Sequence, residues 1–102
     1  MSSNYGIMTI GITEHAQEHF VVTMVLSATR DGMEDYNMSV SAVHDFISVK
    51  GDALNNIIEL KVDGFECHMA VDELYDLVID GVNYKGNYAG ALAALNAAFN
   101  FS

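Results

Sequence analysis

Between Ile57 and Met69, apolar and polar residues alternate on either side of an Asp63-Gly64 pair. Folding the segment about that pair as a two-residue turn sets Val62 against Phe65, Leu60 against Cys67 and Ile58 against Met69. These pairs are apolar and share one face. The other face sets Lys61 against Glu66 and Glu59 against His68. Side chains alternate with period two along a strand, so a one-residue slip would turn every apolar residue out to water. The pattern therefore specifies both the hairpin and its register.

A second hairpin is expected to join Phe20–Thr29 to Glu34–Val40. A three-residue loop, Asp31-Gly32-Met33, pairs Ala28 with Tyr36, Leu26 with Met38 and Met24 with Val40 on an apolar face. Arg30 then stands across from Glu34, an exposed pair of little energetic weight. Tyr5–Ile12 reads as a further strand. With no proline in the chain, turns fall to Gly, Asn and Asp.

Three segments carry helical spacing. Ser41 can cap a helix running to Val49, with Val43, Phe46 and Ile47 inward. Asp72 can cap Glu73–Ile79, with Leu74, Leu77 and Val78 inward and Gly81 as the stop. A rival reading makes Leu77–Tyr84 a hairpin about Asp80-Gly81, with Ile79 opposite Val82; the helical spacing favours the helix. Asn87 can cap a last helix, Tyr88–Phe99, on which Tyr88, Leu92, Leu95 and Phe99 form one stripe. The expected fold is α+β: a mainly antiparallel sheet of about five strands with two or three helices packed on one face. All 102 residues are expected to form a single domain.

Charge adds a constraint. Every formal side-chain charge lies between Glu14 and Lys85, with 14 acids against four bases (Arg30, Lys50, Lys61, Lys85) and a net charge of -10. Such a field repels nucleic-acid phosphates and anionic lipid, so no direct nucleic-acid or membrane partner is expected. The uncharged stretch after Lys85 is 17 residues long and holds three asparagines, too short and polar for a membrane span. Cys67 is the single cysteine and no basic residue precedes Arg30, so neither a disulfide framework nor a secretory n-region is expected. The expected location is the cytoplasm.

The last helix has no charged face at all, and Gly90, Ala94 and Ala97 lie away from its large-residue stripe. Helices without a charged face are usually buried on most sides. Small residues on that flank would admit a second backbone, which points to homo-oligomerisation through Gly90, Ala94 and Ala97.

Candidate chemistry is sparse. His15-Ala16-Gln17-Glu18-His19 resembles the H-x-x-E-H pattern of inverted zinc peptidases, in which both histidines share a helix face and hold zinc with the glutamate as base. The likeness covers five residues. Strand-like Phe20–Leu26 follows at once and no acid lies beyond Asp80, so the segment reads as a solvated turn between strands. Cys67 and His68 fall on opposite faces of a strand, which rules out a thiol–imidazole pair there. His44-Asp45 has no serine on a strained Gly-flanked turn to serve. Gly81, Gly86 and Gly90 lack the lysine and spacing of a phosphate loop. No catalytic, cofactor-binding or metal-binding residue is expected, and the chain is not expected to be an enzyme.

The acids are left as the feature with functional content. On the expected helix Asp72, Asp76 and Asp80 recur at intervals of four, flanked by Glu73, although like charges at that spacing are destabilising by about a few tenths of a kcal/mol per pair. Glu34 and Asp35 form a second cluster. A negative strip of this kind suits the basic groove of a partner that handles nucleic acid. The expected function is therefore that of a small, acidic, non-enzymatic binding protein that inhibits such a partner. In genre, though in no alignable motif, the chain resembles bacteriophage-encoded inhibitors of host defence. The alternative is a structural subunit of a homo-oligomeric or viral assembly, in which the uncharged ends make the contacts. If the C-terminal flank self-associates, light scattering at tens of micromolar gives a mass above that of the 11.1 kDa chain; a monomer mass removes that surface.

Overall fold

The structure, a computed structural model, describes residues 6–28 and 35–101. Eight strands form two sheets, and one helix follows them. The strands are β1 (Gly6–Ala16), β2 (His19–Ala28), β3 (Tyr36–Val43), β4 (Ile47–Asp52), β5 (Ile57–Val62), β6 (Phe65–Ala70), β7 (Leu74–Ile79) and β8 (Val82–Asn83). The helix, α1, spans Tyr88–Ala98, and short 3-10 turns cover His44–Phe46 and Val71–Glu73. The larger sheet has the order β3-β2-β1-β7-β8 and the smaller β4-β5-β6. All neighbours are antiparallel except β1 and β7, which run parallel.

The β5–β6 hairpin has the register its alternation specifies: Val62 opposite Phe65, Leu60 opposite Cys67, Ile58 opposite Met69. Its apolar face faces inward, with Ile58, Leu60 and Val62 fully buried and Cys67 and Met69 nearly so. In the β2–β3 pair, Met24 faces Met38 and Val22 faces Val40, two residues away from the expected register. A two-residue slip keeps every side chain on its own face, so alternation cannot distinguish the two pairings. The connecting loop, with the expected Arg30–Glu34 pair, lies outside the described residues, as does Tyr5.

The expectation of two or three helices on one sheet is overturned: the described residues form one α-helix, and a second sheet covers the first. Ser41–Val49 is not helical. β3 continues to Val43, the turn at His44–Phe46 bends the chain, and β4 begins the second sheet. The β-branched residues of this stretch suit strands better than a helix, and β3 gains a full ladder with β2 out to His19↔Val43. Glu73–Ile79 is not helical either. Its core is β7, and Asp80-Gly81 turns it into β8 with Ile79 opposite Val82, the rival pairing. Asp80 and Gly81 both hold positive φ (47° and 87°), as a type I′ turn requires. Six residues are compatible with either period; pairing of β7 along β1 from Gly6↔Leu74 to Ile10↔Ile79 decides the matter.

The helix forms where its cap and stripe place it. The Asn87 side chain accepts a hydrogen bond from the Gly90 N–H at 2.9 Å. A Cβ on Gly90 would collide with that same side chain, so glycine here makes room for the cap. Ala91, Leu95 and Phe99 are buried, and Phe99 meets Phe20 edge-on at 5.3 Å. Ala94 packs against the core, and Ala97 is exposed. Of the three small residues expected to serve self-association, Gly90 and Ala94 thus have intrachain roles. Gly51 of β4 lies under Tyr88, and a Cβ there would also come within 2.7 Å of Leu92.

Both sheets and the helix contribute to one buried cluster, including Ile10, Phe20, Val22, Met24, Ile58, Leu60, Leu77 and Leu95. Among the described residues no helix is long and apolar enough to cross a membrane. Truncating Leu60 to Ala at the centre of the cluster is expected to cost about 2–5 kcal/mol in urea unfolding. Gly51→Val is expected to cost about 1–3 kcal/mol by overpacking the β4–α1 contact.

Candidate functional site

Strand direction brings several turns to one end of the molecule. β1 finishes there; β2 starts there; β3 ends there and hands the chain to β4; the β5–β6 turn closes beside them, while β7, parallel to β1, stops short at Ile10↔Ile79. Hydrogen bonds tie these turns together. The His44 N–H donates to the Glu18 carbonyl at 2.8 Å, and the Asp63 N–H to the Phe46 carbonyl at 2.8 Å. The Asp80 N–H donates to the Ile10 carbonyl at 2.9 Å, and the Ile12 N–H returns a bond to Asp80 Oδ1 at 2.8 Å. Asp80 thereby extends the parallel ladder one step with its side chain.

Glu18, Asp45 and Asp63 lie on the turns at this end and Glu14 near the end of β1, and all are exposed; Asp80, also exposed, lies beside the middle of β1. Glu14 Oε2 accepts the Glu18 N–H at 2.9 Å, which holds Glu18 at a φ of 58°. None of the described cations joins them. Lys61 pairs with Glu59 and Glu66 on the outer face of the small sheet, Lys50 lies opposite Glu59, and Lys85 sits 4.2 Å over the Tyr75 ring. Beside Asp45 and Asp63 stands Phe46, 62% exposed although the sequence pattern directs it inward. A lone exposed ring is ordinary on a protein surface; this one sits where the β1–β2, β3–β4 and β5–β6 turns, each bearing an exposed acid, are bonded together.

The residues first expected to form the site are dispersed. Asp72 and Glu73 occupy the 3-10 turn at the far end of β7 from Asp80. β7 alone spans roughly 20 Å at ~3.3 Å per residue, so the four-residue spacing makes no compact strip. Asp76 is half-buried and accepts a hydrogen bond from Asn83 Nδ2 at 2.9 Å, a cross-strand contact within the β7–β8 hairpin. Asp35 is exposed just before β3, and Glu34 lies outside the described residues. None of the expected strip belongs to the group at the end of β1: Asp80 is held beside Ile10 and Ile12 in mid-strand. Glu14 and Glu18 lie four residues apart, but Asp45 and Asp63 sit on turns far from them in sequence, and no local spacing joins the three turns.

His15 and His19 do not share a helix. His15 falls at the irregularity between Glu14 and Ala16, and His19 opens β2. Among the described residues the ligating side chains that converge are Glu59, Glu66 and His68, on the outer face of the β5–β6 hairpin. His68 Nε2 lies 3.2 Å from Glu59 Oε2 and 3.5 Å from Glu66 Oε1. At the end away from the acidic turns, a cleft of about 400 Å³ opens between the free edge of β6 and Met8, Leu26 and Leu74.

Two polar groups have local roles. Asp52 ends β4, and its carboxylate is held below the usual aspartate range by the Asn55 side-chain amide at 2.9 Å, with help from the Asn55 N–H. His44 packs its ring against Phe101 at 4.4 Å, and its Nε2 is buried with no hydrogen-bond partner.

No family model matches the chain, and no curated protein and no solved structure is similar to it.

A buried unsatisfied nitrogen costs about 1–3 kcal/mol, so His44→Phe is expected to leave stability unchanged or raise it, read as a urea midpoint. The depressed Asp52 titration, followed by carboxyl NMR, is expected to move back up in Asn55→Ala. Its sign is that of a lowered carboxyl: the stabilisation is present above the unfolded-state value and is lost as pH falls through the folded one.

Proposed function

We propose that the chain is a small, non-enzymatic binding protein that docks its acidic end on a basic partner protein. The supporting observation is that Glu14, Glu18, Asp45 and Asp63 lie at the turns tied together beside the exposed Phe46, without a described cation among them. Carboxylates held on turns by backbone hydrogen bonds lose little entropy on binding, because the backbone is already ordered. Their common field accelerates encounter with a positive surface and weakens with salt. An apolar ring at the middle of such a patch supplies the desolvated anchor that electrostatics lacks.

The matching surface is a basic groove with an apolar pocket. Proteins that handle nucleic acid carry such grooves for phosphates, and an acidic knob seated in one would inhibit them by occupancy. The agent is the turn cluster rather than the 72–80 strip.

The test keeps structural carboxylates intact. Glu18→Gln, Asp45→Asn and Asp63→Asn together remove charge without touching the Glu14 or Asp80 acceptors. Against a partner isolated on the wild-type chain, this triple variant is expected to bind at least about tenfold more weakly and with a flatter salt dependence. Phe46→Ala is expected to weaken binding by a factor of about ten or more at every salt concentration. Asp72→Asn/Glu73→Gln is expected to bind as wild type; if that pair carries the loss instead, the docking surface lies at the other end.

A further inference from the structure

The outer face of the small sheet is built as rows across three strands. Lys50, Glu59 and His68 form one row, and Ser48, Lys61 and Glu66 the next. The register that buries Ile58, Leu60, Cys67 and Met69 necessarily sends Glu59, Glu66 and His68 to the opposite face together. Their ligand atoms lie within 4.8 Å of one another.

We propose that Glu59, Glu66 and His68 form a binding site for a divalent transition cation of the Zn²⁺ class. The distances suit it. A tetrahedral centre with bonds of about 2.0–2.1 Å holds its ligand atoms about 3.3 Å apart, and His68 Nε2 stands 3.2 and 3.5 Å from the two carboxylate oxygens. The donor set, one imidazole nitrogen and two carboxylate oxygens, favours zinc, cobalt or nickel over calcium or magnesium. Three protein ligands leave a coordination position for water.

The charge balance agrees. With Lys50 as Glu59's cross-strand neighbour on β4, the two carboxylates converge on Lys61, which stays 3.7 and 4.0 Å away and 39% exposed. At those distances it is a loose, screened partner. It approaches Glu59 through Oε1, while Oε2 of the same carboxylate faces His68. Lys61 therefore positions Glu59 from behind and leaves its inner oxygen free for a cation, in the manner of an outer-shell partner. Glu59 is the most enclosed of the three side chains at 22% exposure, and all three stand on paired strands instead of loops.

Chelator-treated full-length chain titrated with Zn²⁺ by calorimetry, and with Co²⁺ by visible absorption, tests the site. One-to-one saturation is expected, with weaker binding on acidification because the ligands must shed protons. His68→Ala and Glu66→Gln are each expected to lose at least about tenfold in affinity. These positions are exposed, and circular dichroism checks that the variants stay folded. The His15→Ala/His19→Ala variant is expected to bind as wild type. Absence of saturable binding, binding indifferent to His68→Ala, or loss confined to the His15/His19 variant overturns the assignment.

Discussion

Neither sheet of this protein can bury its apolar face alone, and their mutual burial is the constraint on which the rest depends. Ile58, Leu60 and Val62 of the small sheet are shielded from water together with Ile10, Phe20, Val22 and Met24 of the large one. No disulfide assists, since Cys67 is the single cysteine and is itself part of the core. The helix completes the enclosure through Leu95 and Phe99. Burial of this kind is non-directional; direction comes from the strand ladders, which admit one face to the core and assign the other to water.

That assignment shapes the surface. Apolar residues fill strand interiors, so charge collects where strands end or face outward. Turns need Asp, Asn or another residue that tolerates positive φ, and here Glu18, Asp63 and Asp80 supply it at 58°, 54° and 47°. The residues that let the chain reverse are thus the ones that charge its end. Backbone bonds from His44 to Glu18 and from Asp63 to Phe46 then tie the β1–β2, β3–β4 and β5–β6 reversals into one acidic end, while parallel pairing sets the β7–β8 turn beside the middle of β1. On the small sheet the same alternation groups Glu59, Glu66 and His68.

Legibility followed the range of the deciding interaction. The β5–β6 hairpin was readable to the residue because its turn, alternation and cross-strand charges all lie within thirteen residues. The α1 cap at Asn87 was readable because its side chain accepts from an N–H only three residues away. The β2–β3 register was readable only to within two residues, since a slip of two preserves the face. Segments 41–49 and 73–79 carry helical spacing yet form strands, because short apolar runs satisfy both periods. The expected acidic strip goes with the helix: intervals of four make a row on a helix, but spread along a strand and its flanking turns they divide between its opposite ends.

By itself, then, the sequence determined the small-sheet hairpin, the C-terminal helix with its cap, and an acidic surface with no motif for common chemistry. Tertiary structure decided whether 73–79 is strand or helix, how many layers the domain has, and which acids are neighbours. The physical reason is that local pattern sets which way a side chain points, whereas pairing between distant strands sets what it points beside. For Asp80, the pairing partner was Ile12, sixty-eight residues earlier in the chain.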